Sequence, residues 1–161
     1  MFEVKNERPF AERELNRRYL TFTLMNDEYG VELARVLEIR GFVPASAIPF
    51  SPSYLVGILN LKGAIVPLID LRHKLGLPMV ARNEFNTILL TRIRDQIVGI
   101  VVDQLSGVAN IPIAGIEPIA DATDTRNTEM LIGAGIYDGH RVALLDLDEV
   151  VTERFGAVLT G

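Results

Sequence analysis

The chain has 161 residues, of which 48% are apolar, a formal charge of −5 and no cysteine. Its length fits one compact domain or two very small ones, and its apolar content suffices for a real core, which excludes a globally disordered chain. Scattered Lys and Arg under a net negative charge argue against a nucleic-acid partner, and the absence of cysteine removes disulfides, thiolate metal sites and a cysteine nucleophile while suiting a reducing cytoplasm.

Residues 1–18, with the charge-rich text EVKNERPFAERELNRR, read as a mobile tail. They lack the apolar core of a signal peptide, and no later run reaches the roughly 18 apolar residues that cross a bilayer. From Tyr19 the pattern is short and strand-like. YLTFTL and the segment Tyr29 to Leu33 flank the polar turn Met25 to Glu28 and read as a hairpin. Ser51-Pro52 before Tyr54 has the form of a helix start, with Ser as cap and Pro in the first turn. AIVPLIDL is rich in branched residues, but Pro67 cannot donate to a ladder and predicts an edge strand or a bulge. TILLTRI and IVGIVVD enclose Arg94-Asp95-Gln96 as a second hairpin; RVALLDL is a further strand, and Asp148 to Phe155 reads as a short closing helix.

The text also repeats itself. A shift of 69 positions takes Gly30 to Gly99, Val36 to Leu105, Ile39 to Val108 and Pro49 to Pro118. Past Pro118 the shift becomes 76, taking Gly57 to Gly133, Gly63 to Gly139 and Leu68-Ile69-Asp70-Leu71 to Leu144-Leu145-Asp146-Leu147. The extra residues fall in the polar stretch Asp121 to Glu129, where an insertion costs little. Two units, about 19–85 and 86–151, are expected, with room for strands to interleave, and residues 152–161 form the closing end. A five-stranded unit commonly closes into a small barrel, which removes its edges. Two such barrels packed face to face share a core that neither fills alone. The fold class expected is therefore mainly β, two five-stranded barrels with short helices.

Reactive groups are few. No phosphate-binding loop or nucleophile-elbow motif occurs. His73 and His140 stand at different places in the two units without zinc-ligand spacing. The acidic loop Asp121 to Glu129 places Arg126 where a calcium loop needs glycine. Asp70 and Asp146 are related by the repeat and are expected to cap or end their strands. Lys62-Gly63 matches Asp138-Gly139, so Gly63 reads as the tip of a hairpin. Neither catalysis nor a metal is expected.

The segments YGVELARVLEIRGFVPASAIPFSPSYLVGILNLKGAIVPLIDLRHKLG, IVGIVVDQLSGV and LIGAGIYDGHRVALLDLDEV resemble the CheW-like family of chemotaxis coupling proteins, over Tyr19 to Val151. The resemblance implies two SH3-like barrels, no cofactor and no turnover. It implies two partners: the regulatory domain of a CheA-type histidine kinase and the cytoplasmic tip of methyl-accepting chemoreceptors. It also implies a cytoplasmic protein recruited to membrane receptor arrays. Carried over by motif, the receptor-binding residues are Val36, Glu38, Ile39, Gly57, Lys62 and Gly63; the kinase-binding candidates are Val102, Leu105 and Val108. Where the family commonly has Arg in its Asn-Leu-Arg-Gly motif this chain has Lys62, which keeps the charge and loses the planar five-donor fork. Val36 and Ile39 have apolar repeat mates, so core packing competes with docking as the reason for them. Glu38 and Lys62 have the dissimilar mates Gly107 and Asp138. Two other readings stay open: a coupling protein of a non-flagellar chemosensory pathway, and a small β-barrel module that binds a metabolite.

Overall fold

Most strands here are apolar on both faces, which requires each to be covered twice. The computed structural model, which describes residues 16–118 and 129–155, shows how. Ten strands follow in order: β1 (Asn16–Leu24), β2 (Asp27–Glu32), β3 (Val36–Gly41), β4 (Leu55–Leu61), β5 (Ala64–Asp70), β6 (Thr87–Ile93), β7 (Gln96–Val102), β8 (Gln104–Pro112), β9 (Leu131–Tyr137) and β10 (His140–Leu145). Two four-residue helices, α1 (Leu71–Lys74) and α2 (Leu147–Val150), follow β5 and β10. The strands form two five-stranded sheets, β8-β1-β2-β10-β9 (barrel 1) and β3-β6-β7-β5-β4 (barrel 2). A backbone bridge closes each: Ser46 pairs with Ile58 of β4, and Glu117 with Ala134 of β9.

The mainly β, two-barrel fold class is as expected, but the barrels are not the sequence halves. Barrel 2 is one stretch, β3 to β7, whereas barrel 1 joins the first two strands to the last three. The chain crosses between barrels twice, at the 3-10 turn Leu33–Arg35 and at Asp103. The repeat nevertheless governs pairing: Leu144 lies opposite Gly30 in one parallel ladder and Leu68 opposite Gly99 in the other. The bridging residues Ser46 and Glu117 differ by 71 positions, so the shift of 69 has already drifted before Pro118 and the Pro49–Pro118 match does not mark equivalent places.

Three apolar clusters result. Tyr19, Ala109, Ile111, Val142 and Leu144 fill barrel 1; Val66, Leu68, Ile88, Leu90 and Val101 fill barrel 2. The largest cluster lies between them, with Leu20, Phe22, Ile69, Leu89, Ile100 and Leu145 among its members. Alternate residues of β6 thus serve different cores, Ile88 and Leu90 inward and Leu89 and Ile93 toward barrel 1. This shared core is what neither small barrel supplies alone.

Several local expectations change. Pro67 sits in β5, an internal strand between β7 and β4. It is tolerated because the parallel ladder with β7 begins only at Leu68. Ser51 caps no helix: its hydroxyl donates back to the Ile48 carbonyl at 2.7 Å, and the chain makes one turn before β4. The closing helix spans only Leu147–Val150, not Asp148 to Phe155. Arg94 donates to the carbonyls of Asp148 and Val151 at 2.9 Å each, ending the helix, and Val151 and Phe155 extend into the shared core. Asp70 and Asp146 both act as caps, accepting from the backbone N–H of Arg72 at 3.0 Å and of Asp148 at 3.1 Å. The acidic loop lies outside the described residues except for Glu129, and most of the N-terminal tail and residues 156–161 do too.

Each crossing is clamped. Arg72, second residue of α1, donates through Nε and Nη2 to the two Asp103 carboxylate oxygens at 2.8 and 2.5 Å. Asp148, second residue of α2, accepts from both Nη atoms of Arg35 at 2.9 Å. Burial alone would raise the Asp103 carboxyl, but the Arg72 hydrogen bond and the Met25 backbone N–H outweigh it and hold it below the usual aspartate range. The Arg35 hydrogen bond does the same for Asp148. A depressed folded value means the carboxylate's contribution is complete above the unfolded value, near pH 4, and is lost as pH falls through the folded one. Asp103→Asn is expected to lower stability by about 1–3 kcal/mol at neutral pH. It should also flatten the decline below about pH 4; urea unfolding at stepped pH measures both.

Packing gives a second test. A Cβ on Gly99 would stand 2.4 Å from Leu68 Cδ2, whereas at its mate Gly30 the nearest atom would be 3.2 Å away. Gly99→Ala should cost about 1–3 kcal/mol, and Gly30→Ala clearly less, by urea midpoint.

Candidate functional site

Strand β3 is an edge strand of its sheet, and its side chains divide by the pairing register. Val36 opposes Thr91, Ile39 opposes Leu89, and Glu38 and Arg40 oppose Leu90 and Ile88. The register slips between Val36 and Glu38, so Leu37 is an extra residue of a bulge and is 48% exposed. Val36 is half-buried against the shared core, and its mate Leu105 likewise. Ile39 lies on the Leu89 face yet remains 43% exposed, and its mate Val108, opposite Leu20, is 47% exposed. The two pairs part ways: Val36 and Leu105 belong to packing, while Ile39 and Val108 are apolar without being buried.

Glu38 is exposed, and its carboxylate lies 2.9 Å from Arg40 Nε. Lys62 and Gly63 form the two-residue hairpin between β4 and β5, both at positive φ, +53° and +89°. Asn60 Oδ1 accepts from the Gly63 N–H at 3.0 Å, and open space surrounds Gly63 where a side chain would go. Glycine is therefore needed there for backbone geometry and not for close approach. A lysine in the left-handed region is uncommon; among the described residues the Lys62 ammonium has no acidic partner, so the turn holds out an unneutralised charge.

Two proposed site residues are placed elsewhere. Gly57 is buried under the chain that closes barrel 2: a Cβ would meet the Ser46 carbonyl oxygen at 2.5 Å. It serves closure and presents nothing to a partner. Val102, 1% exposed, is part of the shared core, so it cannot be a docking side chain. β7 is internal to its sheet with cover on both faces, which is why an apolar run near a turn proved to be core.

Glu38 shares the face of Leu90 toward barrel 2, Ile39 shares the opposite face with Leu89, and Lys62 and Gly63 form the tip of the β4–β5 hairpin. The mates of Glu38, Ile39 and Lys62, which are Gly107, Val108 and Asp138, line one cleft at the mouth of barrel 1. Leu37, within the same Val36 to Arg40 block, owes its exposure to the bulge, which leaves no mark on apolar periodicity. The barrel 1 cleft was missed, although the repeat contained its signal: Thr21 and Glu28 stand where the other unit has Leu90 and Ile97. Tyr54 flanks α1, with Lys74 Nζ 4.4 Å from its ring centroid, and its hydroxyl is pushed up to about 12 by burial and by Glu153.

Known proteins resemble the chain over nearly all of the described fold. A profile of the CheW-like domain matches residues 18–155. The chain is 34% identical to chemotaxis protein CheW of Klebsiella aerogenes over 142 residues, covering 88% of this chain and 86% of that protein. It is 30% identical to chemotaxis protein CheW of Helicobacter pylori over 138 residues, covering 86% and 83%. The crystal structure of scaffolding protein TtCheW from Thermoanaerobacter tengcongensis superposes with a TM-score of 0.74 at 28% identity, covering 81% of this chain and 88% of that one. Truncating Val102 to Ala is expected to cost about 0.5–1.5 kcal/mol or more in urea unfolding; truncating the exposed Ile39 to Ala should leave the midpoint nearly unchanged.

Proposed function

Because the chain belongs to the CheW-like domain family, we propose that it works as a non-catalytic coupling protein in chemotaxis signalling. It joins the cytoplasmic tips of methyl-accepting chemoreceptors to the regulatory domain of a CheA-type histidine kinase, and helps to build their array at the membrane. Among the described residues no helix is long and apolar enough to cross a bilayer.

What supports the receptor assignment is that Glu38 and Lys62 are both exposed, with Lys62 held out on the β4–β5 turn. Neither charge is needed by the fold, because the corresponding places of the other barrel hold Gly107 and Asp138. Ile39 and Leu37 add exposed apolar surface beside them. A receptor tip is a helical hairpin, and a helix offers an apolar ridge flanked by charges. Ile39 and Leu37 take the ridge; Glu38 and Lys62 set register and choice of partner. Gly63 contributes the turn that carries Lys62. The kinase is assigned to barrel 1, where exposed Val108 and half-buried Leu105 lie along β8. With one partner on each barrel, the rigid shared core fixes the geometry between receptor and kinase.

Glu38→Arg and Lys62→Glu should each weaken receptor pull-down by about tenfold with unchanged urea midpoints. Lys62→Arg, which restores the fork that grips a carboxylate in two places, should strengthen it. Normal receptor binding by both charge-reversed variants would remove the assignment. Loss of kinase binding in the same variants, with receptor binding kept, would exchange the two faces.

A further inference from the structure

The two barrel mouths share one construction and differ in filling. Thr21 pairs with Gly107 as Leu90 pairs with Glu38, and Val142 with Gly135 as Val66 with Leu59. In barrel 2 the inward places are taken by buried Leu90 and Val66, with Ile97 and Leu61 packed over them, and the mouth is plugged. In barrel 1 the same places hold Thr21, Glu28, Val142 and Tyr137, and a cleft of about 380 Å³ remains. Its polar lining is Thr21, Glu28, Ser106, Asp138 and His140. A barrel has no structural use for Thr and Glu where Leu and Ile pack, since polar groups in such places must find partners.

Thr21 is 5% exposed and satisfied, its hydroxyl donating to the Gly107 carbonyl at 3.1 Å. Glu28 and Asp138 meet no cation among the described residues, and no Lys or Arg lines the cleft. Two carboxylates in one concavity focus a negative potential outward. The rim is apolar: Val108 is 47% and Tyr137 41% exposed. The matching guest has a cationic head on an apolar stem. Arginine fits best, because its planar five-donor fork suits the acceptors of Glu28, Ser106 and Asp138. Its methylenes can lie along Val142, and its guanidinium can stack on Tyr137. The exposed rim favours a side chain on a partner surface, which buries that rim as it docks, over a free small molecule.

We propose that the mouth of barrel 1 is a socket for an arginine side chain of a partner protein. This goes beyond the receptor assignment and does not depend on it. The test titrates N-acetyl-arginine methylamide into the isotope-labelled full chain and follows amide resonances. Saturable shifts are expected at Ser106 to Val108 and Tyr137 to Val142, with none at Lys62-Gly63 in the plugged mouth. The isosteric uncharged citrulline analogue should bind about tenfold more weakly, and Glu28→Gln with Asp138→Asn should reduce arginine binding by a similar factor. Asparagine tolerates the positive φ of position 138, so that variant keeps its turn. Thr21→Leu with Glu28→Ile, which copies barrel 2, should fold and bind nothing. Equal binding of citrulline, undiminished binding by either folded double variant, or no saturable shift at the barrel 1 mouth would overturn the proposal.

Discussion

Everything in this molecule hangs on two places where the chain leaves one barrel for the other. At each a bidentate pair of arginine and aspartate ties the crossing to the helix beyond a strand, and the polarity is reversed between them. Arg72 of α1 holds Asp103, and Asp148 of α2 holds Arg35. In each helix the charged residue stands two places after the capping Asp70 or Asp146. The duplicated framework has thus kept a bidentate clamp at each crossing while exchanging the signs, Arg72 gripping through Nε and Nη2 and Arg35 through its two Nη atoms. Bidentate, partly buried pairs specify a geometry more than they add raw stability. What they specify here is the relative setting of two barrels over a common apolar core.

That setting matters for an adaptor because its work is positional. A chemotaxis scaffold transmits by holding partners at fixed distance and angle. The shared core lets the two barrels move as one unit, and each barrel then offers its own mouth. The mouths have diverged in both filling and charge: one is packed with Leu90 and Ile97 and carries Lys62, the other is open over Thr21 and Glu28 and carries Asp138. Duplication supplied two equivalent surfaces, and substitution made them unlike.

Much of this was legible in the residues, and for physical reasons. Period-two apolar runs and two-residue turns mark strands and hairpins, and the repeated Gly, Val and Leu-Asp-Leu positions mark the duplication. What periodicity cannot reveal is which strand a strand will choose. Barrels built from each sequence half and barrels with exchanged hairpins bury the same side chains, so the exchange of β1 and β2 left no trace in composition. The same ambiguity misplaced Val102, whose apolar neighbours read alike whether they face a partner or a second barrel. Gly57 looked like part of a binding motif because the motif is one of closure, imposed by the Ser46 carbonyl above it. Charges were more informative. Glu38 and Lys62 break the repeat, and a residue that departs from its own mate is freed from the fold's demands.

The interleaved order of strands also has a bearing on synthesis. Every strand of barrel 2 has left the ribosome once Val102 has emerged, whereas the opening hairpin of barrel 1 must wait for strands that follow it by many residues. A lone hairpin is barely stable in water, and Tyr19 stays without Ala109, Ile111, Val142 and Leu144 during that interval. The nascent chain therefore passes through a half-built state with a sticky end, and a ribosome stalled after Val102 would release a fragment prone to exchange that hairpin with another copy.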